Sequence, residues 1–223
     1  MTADFAELRV KMVDGQLRTT DVTNLPLLTA MLEVPREDFV PDARKALAYI
    51  DDDILLTDRG GPGARYLMEP SPFAKLAQLA EIGPRDRVLD VGAGTGYSAA
   101  VLSRLAGSVV ALESDSPLAQ KAEATLAQLG YDNVSVVRGA LEAGHPQGGP
   151  YDVIVVEGSV EALPDALLGQ LAEGGRLAVV EGHGHAGAAR LYLKADGVAT
   201  GRKVFNAAVK PLPGFERVRE FEF

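Results

Sequence analysis

The chain has 223 residues, 47% of them hydrophobic, which is enough for one core with an added cap. With 31 acidic and 22 basic residues the net charge is -9, so the phosphate backbone of a nucleic acid would meet repulsion rather than a basic stripe. No cysteine is present, which excludes disulfides, thiolate metal sites and a cysteine nucleophile. The start MTADFAELRV lacks basic and apolar leader regions and no apolar run reaches membrane-spanning length, so a cytoplasmic protein without membrane contact is expected.

In chain order, the first third lacks strand-like runs and reads as helices over Asp4 to Thr19, Asn24 to Glu33 and Asp42 to Ile50. A long loop follows, DDDILLTDRGGPGARYLMEP. Its Gly60, Gly61, Pro62 and Gly63 oppose regular structure, and loops of this length in compact domains serve as lids or binding loops. Ser71 is expected to cap a helix running to Ile82, with Pro72 at its first position. Strands and helices then alternate. The strands are RVLDVG, SVVALE, VSVVRG, YDVIVVEG and RLAVVEG, separated by helices over Tyr97 to Ala106, Ser116 to Leu129 and Leu163 to Ala172. Two alternating stretches near Gly197 and Gly201 finish the sheet as an antiparallel hairpin. The expected architecture is a single α/β domain: a helical cap and loop over 1–82, a doubly wound core over 83–186, and antiparallel strands over 187–223. The sheet is mostly parallel and seven-stranded.

Chemistry concentrates at RVLDVGAGTG, residues 87 to 96. Val88, Leu89 and Val91 make a buried strand, and the glycines at 92, 94 and 96 turn the backbone into a helix whose first N–H groups are free for a ligand. Glu113 closes the next strand, where a carboxylate can accept hydrogen bonds from two ribose hydroxyls. Ser114 and Asp115 beside it bring no positive charge, which opposes a 2′-phosphate and therefore NADP. A dinucleotide turn would also place its third glycine one residue later, where Tyr97 stands.

The pattern of Asp90, Gly92, Gly94 and Gly96 resembles motif I of S-adenosylmethionine-dependent methyltransferases. MVDGQLR (residues 12 to 18) and VPREDFVP (34 to 41) resemble the cap of the protein-L-isoaspartate O-methyltransferase family, and the likeness continues through LGYDNVSVVRG and PDALLGQLAEGGRLAVV. The resemblance implies a Rossmann-like fold, S-adenosyl-L-methionine as cofactor, and repair of a protein or peptide substrate by methylation of an isoaspartyl carboxylate. Its cofactor residues map to Asp90, Gly92, Ala93, Gly94, Gly96, Tyr97, Glu113 and Ser114, with Ala140 and Leu141 at the adenine. Departures fall at the acceptor side. Met68 stands at the place of the family's serine, Glu157 where threonine is usual, Gly139-Ala140-Leu141 replaces GDG, and Val180-Glu181 replaces a proline and its successor. Met68 is only a weak acceptor, and an ionised Glu157 about 4 Å from an anion would repel it by roughly 4 kcal/mol, so weak isoaspartyl activity is expected. A non-catalytic cofactor-binding relative, a methyltransferase for another acceptor and an NAD enzyme stay as alternatives, and the oligomeric state is open. The stretch GHGH at His183 and His185 makes a poor metal site, Asp51 to Asp53 reads as a solvated turn, and no metal is expected.

Overall fold

The structure, a computed structural model, describes residues 4–57, 60, 63–182 and 184–217. Gly61, Pro62 and His183 therefore lie outside the described residues, as does the side chain of His185.

The cap begins with α1 (Phe5–Met12), capped by the Asp4 carboxylate, which accepts from the Glu7 amide. The same turn direction continues as a π-helical stretch over Val13–Leu17 and a 3-10 turn over Arg18–Thr20, so the expected single helix is present in three geometries. Asn24 caps α2 (Leu25–Glu33) through the Leu27 amide. The long loop carries more order than its glycines imply: β1 (Ile54–Leu55) pairs antiparallel with β2 (Tyr66–Leu67). Next, α3 (Pro70–Leu79) starts before Ser71. Pro70, with its fixed φ, takes the opening position and Glu69 precedes it. The expected capping role of Ser71 is therefore wrong. Its hydroxyl lies in the first turn and shares a 2.7 Å hydrogen bond with Thr20 Oγ1, tying α3 to the cap.

The main sheet contains β3 (Arg87–Val91), β4 (Ser108–Glu113), β5 (Val134–Arg138), β6 (Tyr151–Val160), β7 (Leu171–Glu181), β8 (Ala188–Ala195) and β9 (Val198–Asn206). Its order is β5-β4-β3-β6-β7-β8-β9, parallel from β5 to β7 and antiparallel across β8 and β9, as expected. The hairpin turns at Asp196 and Gly197, both at positive φ, while Gly201 lies inside β9. Strand alternation sends Val88, Val109, Val153 and Val155 into a core shared with the cap, α4 (Tyr97–Ser103) and α5 (Ser116–Gln128). Leu89, Val91, Ile154 and Val156 face the opposite core, with Leu167 of α6 (Asp165–Gly169) and Leu212. The helix expected over Leu163 to Ala172 is shorter because β7 begins at Leu171. Placing β3 between β4 and β6 brings the carboxyl ends of the three strands to one crevice, where open α/β sheets bind ligands.

Candidate functional site

The glycine turn leaves β3 at its carboxyl end and enters α4. Gly92 and Gly94 adopt φ of +86° and +57°, a region that side chains rarely occupy, so glycine is required there by conformation before any ligand is considered. The Gly92 and Ala93 amides bond to the Leu112 carbonyl at 2.8 and 3.1 Å, which fastens the turn to β4. Glu113 ends β4 with no exposed surface. Its Oε1 accepts from the Ser114 and Asp115 amides at 2.8 and 2.9 Å, and its Oε2 from the Gly94 amide at 2.7 Å. Turn and carboxylate thus form one rigid unit, with the Gly92, Ala93, Gly94 and Gly96 amides bonded within the chain rather than free.

A residue that the sequence reading passed over completes the unit. Arg65, just before β2, is 2% exposed and pairs bidentately with Glu113 through one edge of its guanidinium: Nε to Oε1 at 3.2 Å and Nη2 to Oε2 at 2.9 Å. Nη2 also donates to the Gly92 carbonyl at 2.8 Å. Burial alone would raise the Glu113 pKa. Arg65 and the amides outweigh it, and the carboxyl is held below its usual range.

Two further carboxyls share this interior without such compensation. Asp90, fully buried on β3, accepts the Ser98 hydroxyl on Oδ2 at 2.7 Å, but Oδ1 has no partner. Burial pushes its pKa up to about 7, against the Ser98 bond and helped by the charge of Glu113. Glu157 sits in an irregular part of β6, where Val155 pairs with Ala178 and Ser159 with Val180, so the strand bulges at Val156 to Gly158. The bulge turns Glu157 inward rather than to solvent. It is 8% exposed, Oε1 has no partner, and burial followed by the Asp90 charge drives its pKa well above the ordinary carboxyl value. Burial and the Asp90 charge thus oppose ionisation of Glu157, which weighs against the repulsion expected of it; a protonated carboxyl is a hydrogen-bond donor.

The other expected residues divide. Ser114 stands at Glu113, while Ala140, exposed, and Leu141, buried, follow β5 beside the end of β4, where the Gly139 amide donates to the Glu113 carbonyl at 3.2 Å. Ala93 is buried within the turn. Tyr97 belongs to the cap contact instead. Its ring meets Phe39 and Phe73 at centroid distances of 5.8 and 6.0 Å, and the Arg36 guanidinium lies 4.7 Å above it. Met68 is buried in the core shared with the cap, and its carbonyl accepts from Arg36 Nη2 at 2.8 Å.

Taken together, the unpartnered oxygens of Asp90 and Glu157 near the turn leave positions for a ligand's hydrogen-bonding groups. Side chains of the chain itself lie against the turn in this conformation. A Cβ built on Gly92 would come within 2.9 Å of Arg65 Nη2 and of Leu212 Cδ2, and one on Gly94 within 2.7 Å of Leu56 Cδ1.

The family model described as Protein-L-isoaspartate(D-aspartate) O-methyltransferase matches residues 9–212. A protein-L-isoaspartate O-methyltransferase of Koribacter versatilis is 39% identical over 178 residues, 80% of this chain and 78% of that protein. A second from Rhodopseudomonas palustris is 42% identical over 178 residues, 80% and 71% of the two chains. Among solved structures, a protein-L-isoaspartate O-methyltransferase superposes with a TM-score of 0.80 at 30% identity, over 92% of this chain and 66% of that one. A Plasmodium falciparum structure in complex with S-adenosyl-L-homocysteine shares the fold, with a TM-score of 0.75 at 20% identity.

Proposed function

The chain belongs to the protein-L-isoaspartate(D-aspartate) O-methyltransferase family of S-adenosylmethionine-dependent methyltransferases, and on that premise we propose that it methylates isoaspartyl carboxylates of proteins or peptides in the cytoplasm. The observation that carries the reading is the rigid pairing of the glycine turn with Glu113 across adjacent strands. In this reading the backbone of Gly92, Ala93, Gly94 and Gly96 and the buried Asp90 hold the methionine end of the cofactor. Glu113 takes the ribose hydroxyls, and Ser114, Ala140 and Leu141 border the adenine. Among the described residues no helix is long and apolar enough to cross a membrane.

The cofactor supplies a methyl group already activated on a sulfonium, so the protein's work is to align an attacking carboxylate and exclude water. The chain's own residues provide the enclosure: Arg36, buried under Tyr97, fixes the Met68 backbone, and the bulge of β6 holds Glu157 facing inward. In place of the family's serine hydroxyl, neutral Glu157 offers an O–H donor to the acceptor carboxylate, while Met68 contributes apolar wall.

Titration calorimetry with S-adenosylhomocysteine and a methyl-transfer assay on an isoaspartyl peptide test the reading together. Glu113→Gln is expected to weaken S-adenosylhomocysteine binding by about 1 to 3 kcal/mol through loss of charge-assisted bonds. Unchanged affinity in that variant would remove Glu113 from the cofactor site. Transfer to an aspartyl peptide as fast as to its isoaspartyl isomer would overturn the acceptor.

A further inference from the structure

The cofactor's place is held by two segments of the chain far apart in sequence. From one side come Arg65 and Leu56, which the short β1–β2 ladder and the 2.8 Å bond from the Leu56 amide to the Arg65 carbonyl keep together. From the other comes Leu212, after β9, in an extended stretch laid along the end of β6. The Ser159 amide donates to the Lys210 carbonyl at 2.9 Å, and the Leu212 amide to the Ser159 carbonyl at 2.9 Å. The Leu212 side chain then rests on the glycines of both strand ends, 2.9 Å from a Cβ built at Gly92 and 2.7 Å from one at Gly158. The two segments also touch each other, with Lys210 Nζ 5.5 Å from the Tyr66 ring centroid.

This arrangement crowds the face of the turn against which a ligand would lie. Non-bonded heavy atoms need about 3.5 to 4 Å between centres, and the side chains already stand closer than that to where a Cβ, let alone a cofactor atom, would lie. Nor are lone pairs left over. A carboxylate offers about four acceptor sites, and Glu113 already meets Arg65 Nε and Nη2 and the amides of Gly94, Ser114 and Asp115. Ribose hydroxyls can reach Glu113 only by replacing Arg65.

We propose that Arg65 and Leu212 are internal occupants of the cofactor site, a paired gate that must leave the glycine turn and Glu113 before S-adenosylmethionine can bind. This rests on the cofactor assignment above and adds to it: the closed form competes with the cofactor, so apparent affinity is reduced by the fraction of molecules that are open. The guanidinium serves as a stand-in cation, neutralising Glu113 while the site is closed. Lys210 over Tyr66 links the two occupants, so release of one loosens the other.

The test is titration calorimetry with S-adenosylhomocysteine on the wild type, Arg65→Met, Leu212→Ala and the double variant, with hydrogen exchange at the Leu212 amide. For an open form populated at about 1 to 10%, each single variant is expected to tighten binding by roughly tenfold or more. In the wild type, saturating ligand is expected to expose the Leu212 amide to exchange. Leu212→Ala strips no buried charge of its partner, so it keeps the test available should Arg65→Met fold poorly. Equal affinities in the wild type and Leu212→Ala, or weaker binding in the variants, would overturn the gate while leaving the cofactor assignment standing. Absence of binding in every protein would overturn the cofactor assignment and the gate with it.

Discussion

Two clusters of buried charge, one in the cap and one beneath the glycine turn, are built on opposite plans. In the cap, Arg9 donates to Glu37 Oε1 at 3.0 Å and to the Tyr49 hydroxyl at 2.8 Å, and that hydroxyl donates to Glu37 Oε2. Both carboxylate oxygens are used. Beneath the turn, Arg65 and Glu113 satisfy each other, yet Asp90 Oδ1 and Glu157 Oε1 are buried with nothing to bond. Native interiors rarely leave such atoms orphaned, because each costs about 1 to 3 kcal/mol. A closed network is architecture. The open one lies at the proposed cofactor site, where a bound ligand would supply the missing partners.

The comparison breaks most decisively in the cap. Glu37→Ala removes one member of the closed network and leaves the Arg9 cation largely buried, so a loss of about 3 kcal/mol in urea unfolding is expected, with S-adenosylhomocysteine affinity unchanged. A small stability loss, or a large change in ligand affinity, would show that the cap cluster is not purely structural.

Beneath the turn the sign reverses. The folded-state pKa of Asp90, about 7, lies above the ordinary 3.8, chiefly through burial, so the folded protein keeps a proton that the unfolded chain releases. The stability this confers is complete below about pH 4 and is lost as pH rises through about 7. Each retained proton contributes a slope of up to about 1.4 kcal/mol per pH unit in that window. Asp90→Asn keeps an acceptor for Ser98 and removes the titration, so its stability is expected to fall less steeply between pH 4 and 7 than that of the wild type. Urea midpoints across that range measure it, and parallel curves would clear Asp90 of holding the proton.

How far the sequence foretells these clusters depends on how local their determinants are. The turn and Glu113 lie within one strand–helix–strand unit, where apolar runs, glycines and a strand-terminal acid are read in order, and the sheet follows from repetition of that unit. Arg65 meets Glu113 from a loop whose glycines mask a short ladder, and nothing adjacent in sequence marks it. Its one signal is an arginine set between apolar residues, Ala64 and Tyr66-Leu67. Leu212 reaches Gly92 from the opposite end of the chain, and no periodicity encodes such a contact. The sequence misplaces the cap at Ser71 because two prolines flank it and either can open the helix, while the bulge that carries Glu157 inward depends on the pairing of β6 with β7, which no local pattern encodes.

The smallest expected effect is the sharpest test of Glu157. If the residue were ionised and facing the acceptor, removing its charge would relieve repulsion of several kcal/mol, and turnover on an isoaspartyl peptide would rise by orders of magnitude. Burial first, and the Asp90 charge second, favour the neutral acid instead. Glu157→Gln replaces one neutral donor by another of the same shape, so turnover is expected to stay within about twofold of wild type near pH 7. Glu157→Thr shortens the donor and is expected to lose more, and Met68→Ser, which restores the family's hydroxyl, to recover part of that loss in the double variant. The order wild type and Glu157→Gln together, then the double variant, then Glu157→Thr, belongs to a neutral donor. A large gain in Glu157→Gln belongs to a buried charge, and would mean that the unpartnered oxygen of Glu157 opposes the acceptor rather than receives it.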